Sequence, residues 1–112
     1  MWKSVDPQDL DRIREECNEV YTISKENFSF GFSSERGYIL CSYDSPDQLT
    51  IELVCSDIEL ARELLKEAEK RASLLILYGN RKTWYESLGF VHRKTICLRR
   101  DVPNVHLMMK KI

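Results

Sequence analysis

The sequence predicts an α/β (α+β) fold, a mixed, mostly antiparallel sheet flanked by helices, on three observations. Residues 28–55 alternate apolar and polar side chains with period two and break twice at turn-forming clusters, the pattern of a three-strand antiparallel meander. Residues 56–72 then switch to helical spacing. Residues 74–78 follow as an unbroken apolar run, which marks a strand buried on both faces and reached by a crossover helix.

Each element has a local justification. Residues 2–5 fit a short first strand. Asp6-Pro7-Gln8-Asp9 starts a helix, with a capping carboxylate, proline at the first helical position and a second acid in the first turn. Leu10, Ile13, Cys17 and Val20 recur at helical spacing as one apolar stripe. From Phe28 the period becomes two: Phe28, Phe30 and Phe32 alternate with Ser29, Gly31 and Ser33. Ser34-Glu35-Arg36-Gly37 supplies a turn, residues 38–43 a second strand, and Asp44-Ser45-Pro46-Asp47 a second turn. Leu49, Ile51, Leu53 and Cys55 line one face of a third strand, with Thr50, Glu52 and Val54 on the other.

Ser56-Asp57-Ile58-Glu59 reads as a capping box, Ser56 capping the first turn while Glu59 reaches back. Ile58, Ala61, Leu64, Leu65, Ala68 and Ala72 form the buried stripe of a helix of about four turns, at roughly 3.6 residues each. Gly79-Asn80 stops the buried strand. Residues 81–88 make a short helix ended at Gly89. Residues 90–99, a turn at 101–104 and residues 105–112 close the chain as a hairpin.

A length of 112 residues suits one domain spanning 1–112. Hydrophobic and charged fractions of 43% and 31% are those of a soluble globular chain. No apolar run approaches the roughly 20 residues of a membrane helix. Residues 1–6 lack a signal-peptide core, so a cytoplasmic location is expected. Cys17, Cys41, Cys55 and Cys97 contain no C-x-x-C pair and are expected to be buried, reduced thiols. His92 and His106 stand without cysteine or carboxylate at ligand spacing, so no metal site is expected. The net charge of −1 divides into −7 over residues 1–80 and +6 over residues 81–112. Solvated outer faces of edge strands account for this split more simply than a phosphate ligand or an acidic partner. There is no Walker loop, dinucleotide fingerprint or helix-turn-helix signal.

Trp84-Tyr85-Glu86-Ser87-Leu88-Gly89-Phe90, after the helix of residues 56–72, resembles the Y-x-x-L-G-F signature of the GCN5-related N-acetyltransferase (GNAT) superfamily. The element order also resembles that fold, minus its usual second helix, over essentially the whole chain, and a closing Met109-Lys110-Lys111-Ile112 strand accompanies it. Where the family's R/Q-x-x-G-x-G/A loop cradles a pyrophosphate, this chain reads Val54-Cys55-Ser56-Asp57-Ile58-Glu59-Leu60-Ala61. The resemblance therefore implies a short, divergent member without the usual pyrophosphate loop.

The resemblance implies acetyl-CoA as cofactor and acyl transfer to an amine. Tyr85 would protonate the departing thiolate, since a phenol stays protonated at neutral pH and remains a donor. Glu52 would act as base, because an ammonium has no lone pair to attack a thioester. Val54, Ser56, Asn80, Arg81 and Lys82 would bind the cofactor. The alternative is a catalytically degenerate module that binds a protein partner. Partners consistent with these readings are an amine-bearing small molecule or protein substrate, a protein partner, and a second copy in a homodimer. A membrane is not among them, and overall acidity counts against nucleic acid.

Overall fold

The computed structural model describes residues 3–17, 28–35, 37–97, 99–101 and 104–112. In chain order these form β1 (Lys3–Ser4), a 3₁₀ turn (Pro7–Asp9), α1 (Leu10–Glu16), β2 (Phe30–Ser34), β3 (Gly37–Ser45), β4 (Gln48–Cys55), α2 (Ile58–Glu69), β5 (Leu74–Gly79), α3 (Lys82–Glu86), β6 (Val91–Ile96) and β7 (Val105–Lys111). The expected Trp2 and Val20 contributions, and Arg36, Val102 and Pro103 of the expected turns, lie outside the described residues. One sheet holds all seven strands in the order β1-β2-β3-β4-β5-β7-β6. Every pair is antiparallel except β4–β5, which is parallel and joined by α2, as the apolar run of residues 74–78 predicts. Burial on both faces does not follow, since only Leu75 and Leu77 of the run are buried and Tyr78 is 57% exposed.

Two cores cover the two faces of this sheet. On one face, Leu60, Ala61, Leu64, Leu65 and Ala68 of α2 pack against Ile39, Cys41, Leu49, Ile51, Leu75, Leu77 and Met108. Each of the three helix leucines contributes about 1.5–3 kcal/mol by leaving water. On the opposite face, Leu10 and Ile13 of α1 pack with Val5 and Leu40. Asp6 caps the chain entering α1, accepting from the Gln8 amide at 2.9 Å, with Pro7 at the first position as expected.

Three expectations are corrected. Phe28 does not share a face with Phe30 and Phe32; it packs in the α1 core, while they pack in the α2 core. The Ser29 hydroxyl accepts from the Tyr43 amide at 2.9 Å, and the regular β2–β3 ladder begins only at Phe30. Second, β4 does not keep one alternation along its length. Leu40 pairs with Leu53 but Cys41 pairs with Ile51, so Glu52 is an extra residue, a β-bulge. Leu49, Ile51 and Val54 consequently face α2, while Leu53 packs in the α1 core.

Third, two of the four cysteines are not free thiols. Cys17, at the end of α1, and Cys55, at the end of β4, form a disulfide with Cα atoms 6.0 Å apart. The bulge is what turns Cys55 toward α1. Closing a loop with a sequence separation of 38 stabilises the fold by about 4 kcal/mol on loop-entropy grounds. Beside it, the Tyr38 hydroxyl donates to the Glu16 carboxylate, which also pairs with Arg12 at 2.8 Å. Tyr38 first, then Arg12, hold the Glu16 carboxyl below its usual range. Of the free cysteines, Cys41 is buried and Cys97 exposed. Burial, reinforced by the nearby Glu52 carboxylate and opposed by Arg71, pushes the Cys41 thiol up to about 12.

Thiol titration with a chromogenic disulfide near pH 8 checks this distribution. The native protein is expected to release one equivalent, from Cys97; unfolding without reductant two, and unfolding after reduction four. Four equivalents without reductant would show that Cys17 and Cys55 are not joined.

Candidate active site

The β4–β5 pair opens at one end. The two strands pair only from Gln48–Leu74 to Ile51–Leu77. Beyond these residues β4 passes through the Glu52 bulge to Cys55 and β5 continues to Gly79, with no further ladder pair between them. The strands are parallel, so α2 leaves β4 and α3 leaves β5 at this same end. A crevice at the carboxyl ends of neighbouring parallel strands is where open α/β sheets receive ligands.

Tyr85 lies at the β5 side of this opening, and its position is over-determined. The Phe90 amide donates to the Tyr85 carbonyl at 3.2 Å and the Gly89 amide to Glu86 at 3.0 Å. This pair of bonds is the Schellman turn that ends helices, and it needs a left-handed residue, supplied by Gly89 with φ 96°. The apolar contact that accompanies such turns is Tyr85 against Phe90, ring centroids 6.2 Å apart. Y-x-x-L-G-F is thus a local folding instruction: tyrosine and phenylalanine close the turn, glycine permits it, and Leu88 enters the core. Trp84 packs edge-on against Tyr85 at 5.1 Å.

Two residues outside that motif seat the tyrosine. Gly79 ends β5 directly under the ring; a Cβ there would stand 2.7 Å from Tyr85 Cε2. Lys110 of β7 donates to the Leu88 carbonyl at 3.0 Å and pairs with Glu69 of α2 at 2.6 Å. With only 26% and 23% of these side chains exposed, the pair is shielded in a way ordinary surface pairs are not. Two signals in the sequence mark these residues, a glycine closing an apolar strand and a lysine alternating with apolar residues in the last strand.

The start of α2 differs from expectation. Asp57, not Ser56, is the N-cap: its carboxylate accepts from the Leu60 amide at 2.8 Å. Ser56 instead donates to the Asp57 carbonyl at 2.8 Å. The helix therefore begins one residue later than the expected capping box, and Glu59 falls in the first turn without the reciprocal position. A protein carboxylate engages an amide of the helix end that would otherwise attract an anion.

The other singled-out residues occupy varied settings. Glu52 sits on the bulge, accepting from the buried Ser42 hydroxyl at 2.7 Å. Ser42 follows Cys41 on β3 and so faces the α1 side, away from Tyr85. Val54 is buried in the α2 core, leaving only its backbone toward the opening. Asn80 is exposed between β5 and α3. The Arg81 guanidinium lies 4.2 Å from the Trp84 ring centroid and 5.8 Å from that of Tyr85, a cation–π contact of about 0.5–1 kcal/mol at an exposed site. Lys82 begins α3.

His92 and His106 do not stand alone. Their Nε2 and Nδ1 atoms are 3.3 Å apart, and each also meets Thr95 Oγ1, at 3.0 and 3.1 Å. A bulge between His92 and Lys94 brings them together across the β6–β7 hairpin, which single-strand spacing does not reveal. Among the described residues, no group of three or more His, Cys, Asp or Glu side chains is arranged to hold a metal ion. Among them too, no helix is long and apolar enough to cross a membrane.

Substitutions at the tyrosine's seat have calculable effects. Gly79→Ala pushes the ring off β5 and is expected to cost about 1–3 kcal/mol in a urea melt, as overpacking does. Lys110→Met removes a charged hydrogen bond and leaves Glu69 unpaired, for a loss of about 1–3 kcal/mol. Trp84 emission, reporting on the same packing, is expected to shift in both. An unchanged melting midpoint in both variants would show that these contacts do not hold Tyr85.

No protein-family model matches the sequence, and no curated protein is similar to it. Solved structures are similar over the whole chain. An N-acetyltransferase from Staphylococcus aureus Mu50 superposes with a TM-score of 0.70 at 13% identity, covering 99% of this chain and 96% of that one. Arabidopsis thaliana NAA60, solved in complex with acetyl-CoA, gives 0.70 at 12% identity, with 100% and 99% covered. Ard1 from Thermoplasma volcanium gives 0.64 at 16% identity, with 100% and 97% covered. At these identities the likeness concerns architecture, and with the strand order, the β4–β5 opening and the Tyr85 turn it leads to one conclusion. The chain has the GCN5-related N-acetyltransferase fold.

Proposed function

We propose that the protein is an acetyl-CoA-dependent N-acetyltransferase acting on an amine of a small molecule or a protein. The observation that carries this reading is Tyr85, locked by its turn, Gly79 and Phe90 at the edge of the β4–β5 opening. Acetyl-CoA, when bound, supplies an acyl thioester. The unpaired edges of β4 beyond Ile51 and of β5 beyond Leu77 suit its amide-bearing arm, because each offers backbone groups to an extended chain. Arg81 and Lys82, at the start of α3, are the cations nearest in sequence to this opening.

Tyr85 holds a proton at its phenolic oxygen for the departing sulfur, a role suited to a group that stays protonated at neutral pH. Glu52 serves as proton acceptor for the incoming ammonium through water, since its carboxylate is fixed by Ser42 on the far side of β4. The turn that holds Tyr85 supports the first role, and the bulge position of Glu52 supports the second.

One observation favours a second reading, a module that keeps the fold and binds a protein without acetylating it. Asp57 and Glu59 put two carboxylates at the α2 start, where the cofactor diphosphate would lie. One like-charge pair at about 4 Å costs roughly 1 kcal/mol in water and about 4 at a protein-surface dielectric. The chain accordingly suits the acyl half of the cofactor better than its phosphate half.

Calorimetric titration with acetyl-CoA separates the two readings. Weak binding that tightens on the order of 10-fold when Asp57→Asn and Glu59→Gln are combined is the expected result, because asparagine preserves the cap and both charges are gone. No binding by either protein would support the non-catalytic module.

For chemistry, Tyr85→Phe is expected to lower thiol release over a panel of amines by on the order of 10²–10⁴-fold while the melting temperature barely moves. A purely structural hydroxyl would instead cost about 0.5–1.5 kcal/mol of stability and leave the rate unchanged.

A further inference from the structure

The geometry points to a divalent transition-metal site on the β6–β7 hairpin, formed by His92 and His106 with Thr95. The donor atoms His92 Nε2, His106 Nδ1 and Thr95 Oγ1 form a nearly equilateral triangle with edges of 3.0, 3.1 and 3.3 Å. Two ligands about 2.0–2.1 Å from a tetrahedral ion stand about 3.3–3.4 Å apart, so the imidazole nitrogens already have the separation such an ion needs. A proton at one corner of this triangle is directed at one neighbour only. A cation above the plane of this triangle, over its centre, accepts all three lone pairs at once.

The backbone builds this arrangement. In a regular strand, residues three apart point to opposite faces. Arg93 is an extra residue in β6: His92 pairs with Met108, Lys94 with Leu107, and Thr95 with His106. His92 and Thr95 are thereby re-aimed to the face that carries His106, as bulges do beside functional sites. The rings meet edge to face with centroids 5.0 Å apart, which keeps the two nitrogens from being screened by stacking.

Donor type selects the ion. Two imidazoles suit zinc, nickel or copper, whereas calcium and magnesium require oxygen ligands. The hydroxyl is a weak third donor, and water completes the set. His106 also pairs with Gly79, the glycine beneath Tyr85, so an ion held here would lie beside the tyrosine's seat. Ion binding by these side chains requires no acetyl transfer.

The test uses the metal ions alone. The full chain carrying Cys97→Ser, which removes an exposed competing thiol, is stripped of metal and titrated calorimetrically with zinc, nickel and copper(II) salts. One ion per chain is expected, with affinity falling at least about 10-fold in His92→Gln and in His106→Gln, and less in Thr95→Val. Copper(II) is expected to show nitrogen couplings from two imidazoles in its electron paramagnetic resonance spectrum. Circular dichroism checks that each variant is folded. In the parent chain, zinc is expected to shift the imidazole resonances of both His92 and His106, a readout that needs no histidine substitution. Absence of those shifts, or equal ion binding by the His92→Gln/His106→Gln double variant, would overturn the site.

Discussion

A single inserted residue governs much of this molecule. Because Glu52 is a bulge, the side chains of β4 exchange faces between Ile51 and Leu53. Before the bulge the strand serves the α2 core; after it, Leu53 joins the α1 core and Cys55 reaches Cys17, while Val54 remains under α2. Bulges also bend their strand and increase its twist. Here the bend coincides with the point where β4 and β5 cease to pair. The disulfide depends on that extra residue, and the opening beside Tyr85 begins at it.

At the α3 motif the residue proposed as proton donor also carries several folding duties. Tyr85 supplies a carbonyl to the turn, a ring to Phe90 and Trp84, and a body that fills the space left by Gly79. All of these need an aromatic ring and a backbone; none of them specifies the hydroxyl. The α2 start presents the opposite case. There the Asp57 side chain satisfies the helix end from within, which stabilises α2 and makes the same place less receptive to an anion.

How much could be read beforehand depends on whether the determinant is local. The meander, the crossover helix, the parallel β4–β5 pair and the closing hairpin were legible, because periodicity and turn residues are local properties. The tyrosine turn was legible because its four determinants lie within six residues of one another. The bulges were not. A one-residue slip reverses every later side chain, and only the register with a neighbouring strand reveals it. The Cys17–Cys55 bond and the His92–Thr95–His106 triangle were hidden for this reason, since each joins residues re-aimed by a bulge to a partner far away in sequence. The capping error is of another kind: Ser56 and Asp57 are both good caps, and the choice between them rests on where β4 ends.

The position of β7 has a consequence for how the chain is made. Although last in sequence among the described strands, it lies inside the sheet, between β5 and β6. Until residues 105–111 emerge from the ribosome, β5 has a partner on one side only and β6 has none. The nascent chain thus carries an open strand edge with Leu74, Leu75, Ile76 and Leu77 along it, the kind of surface that recruits strands from other chains. Closure of the sheet therefore waits for β7, and the apolar strand β5 is the part of the nascent chain most in need of protection until then.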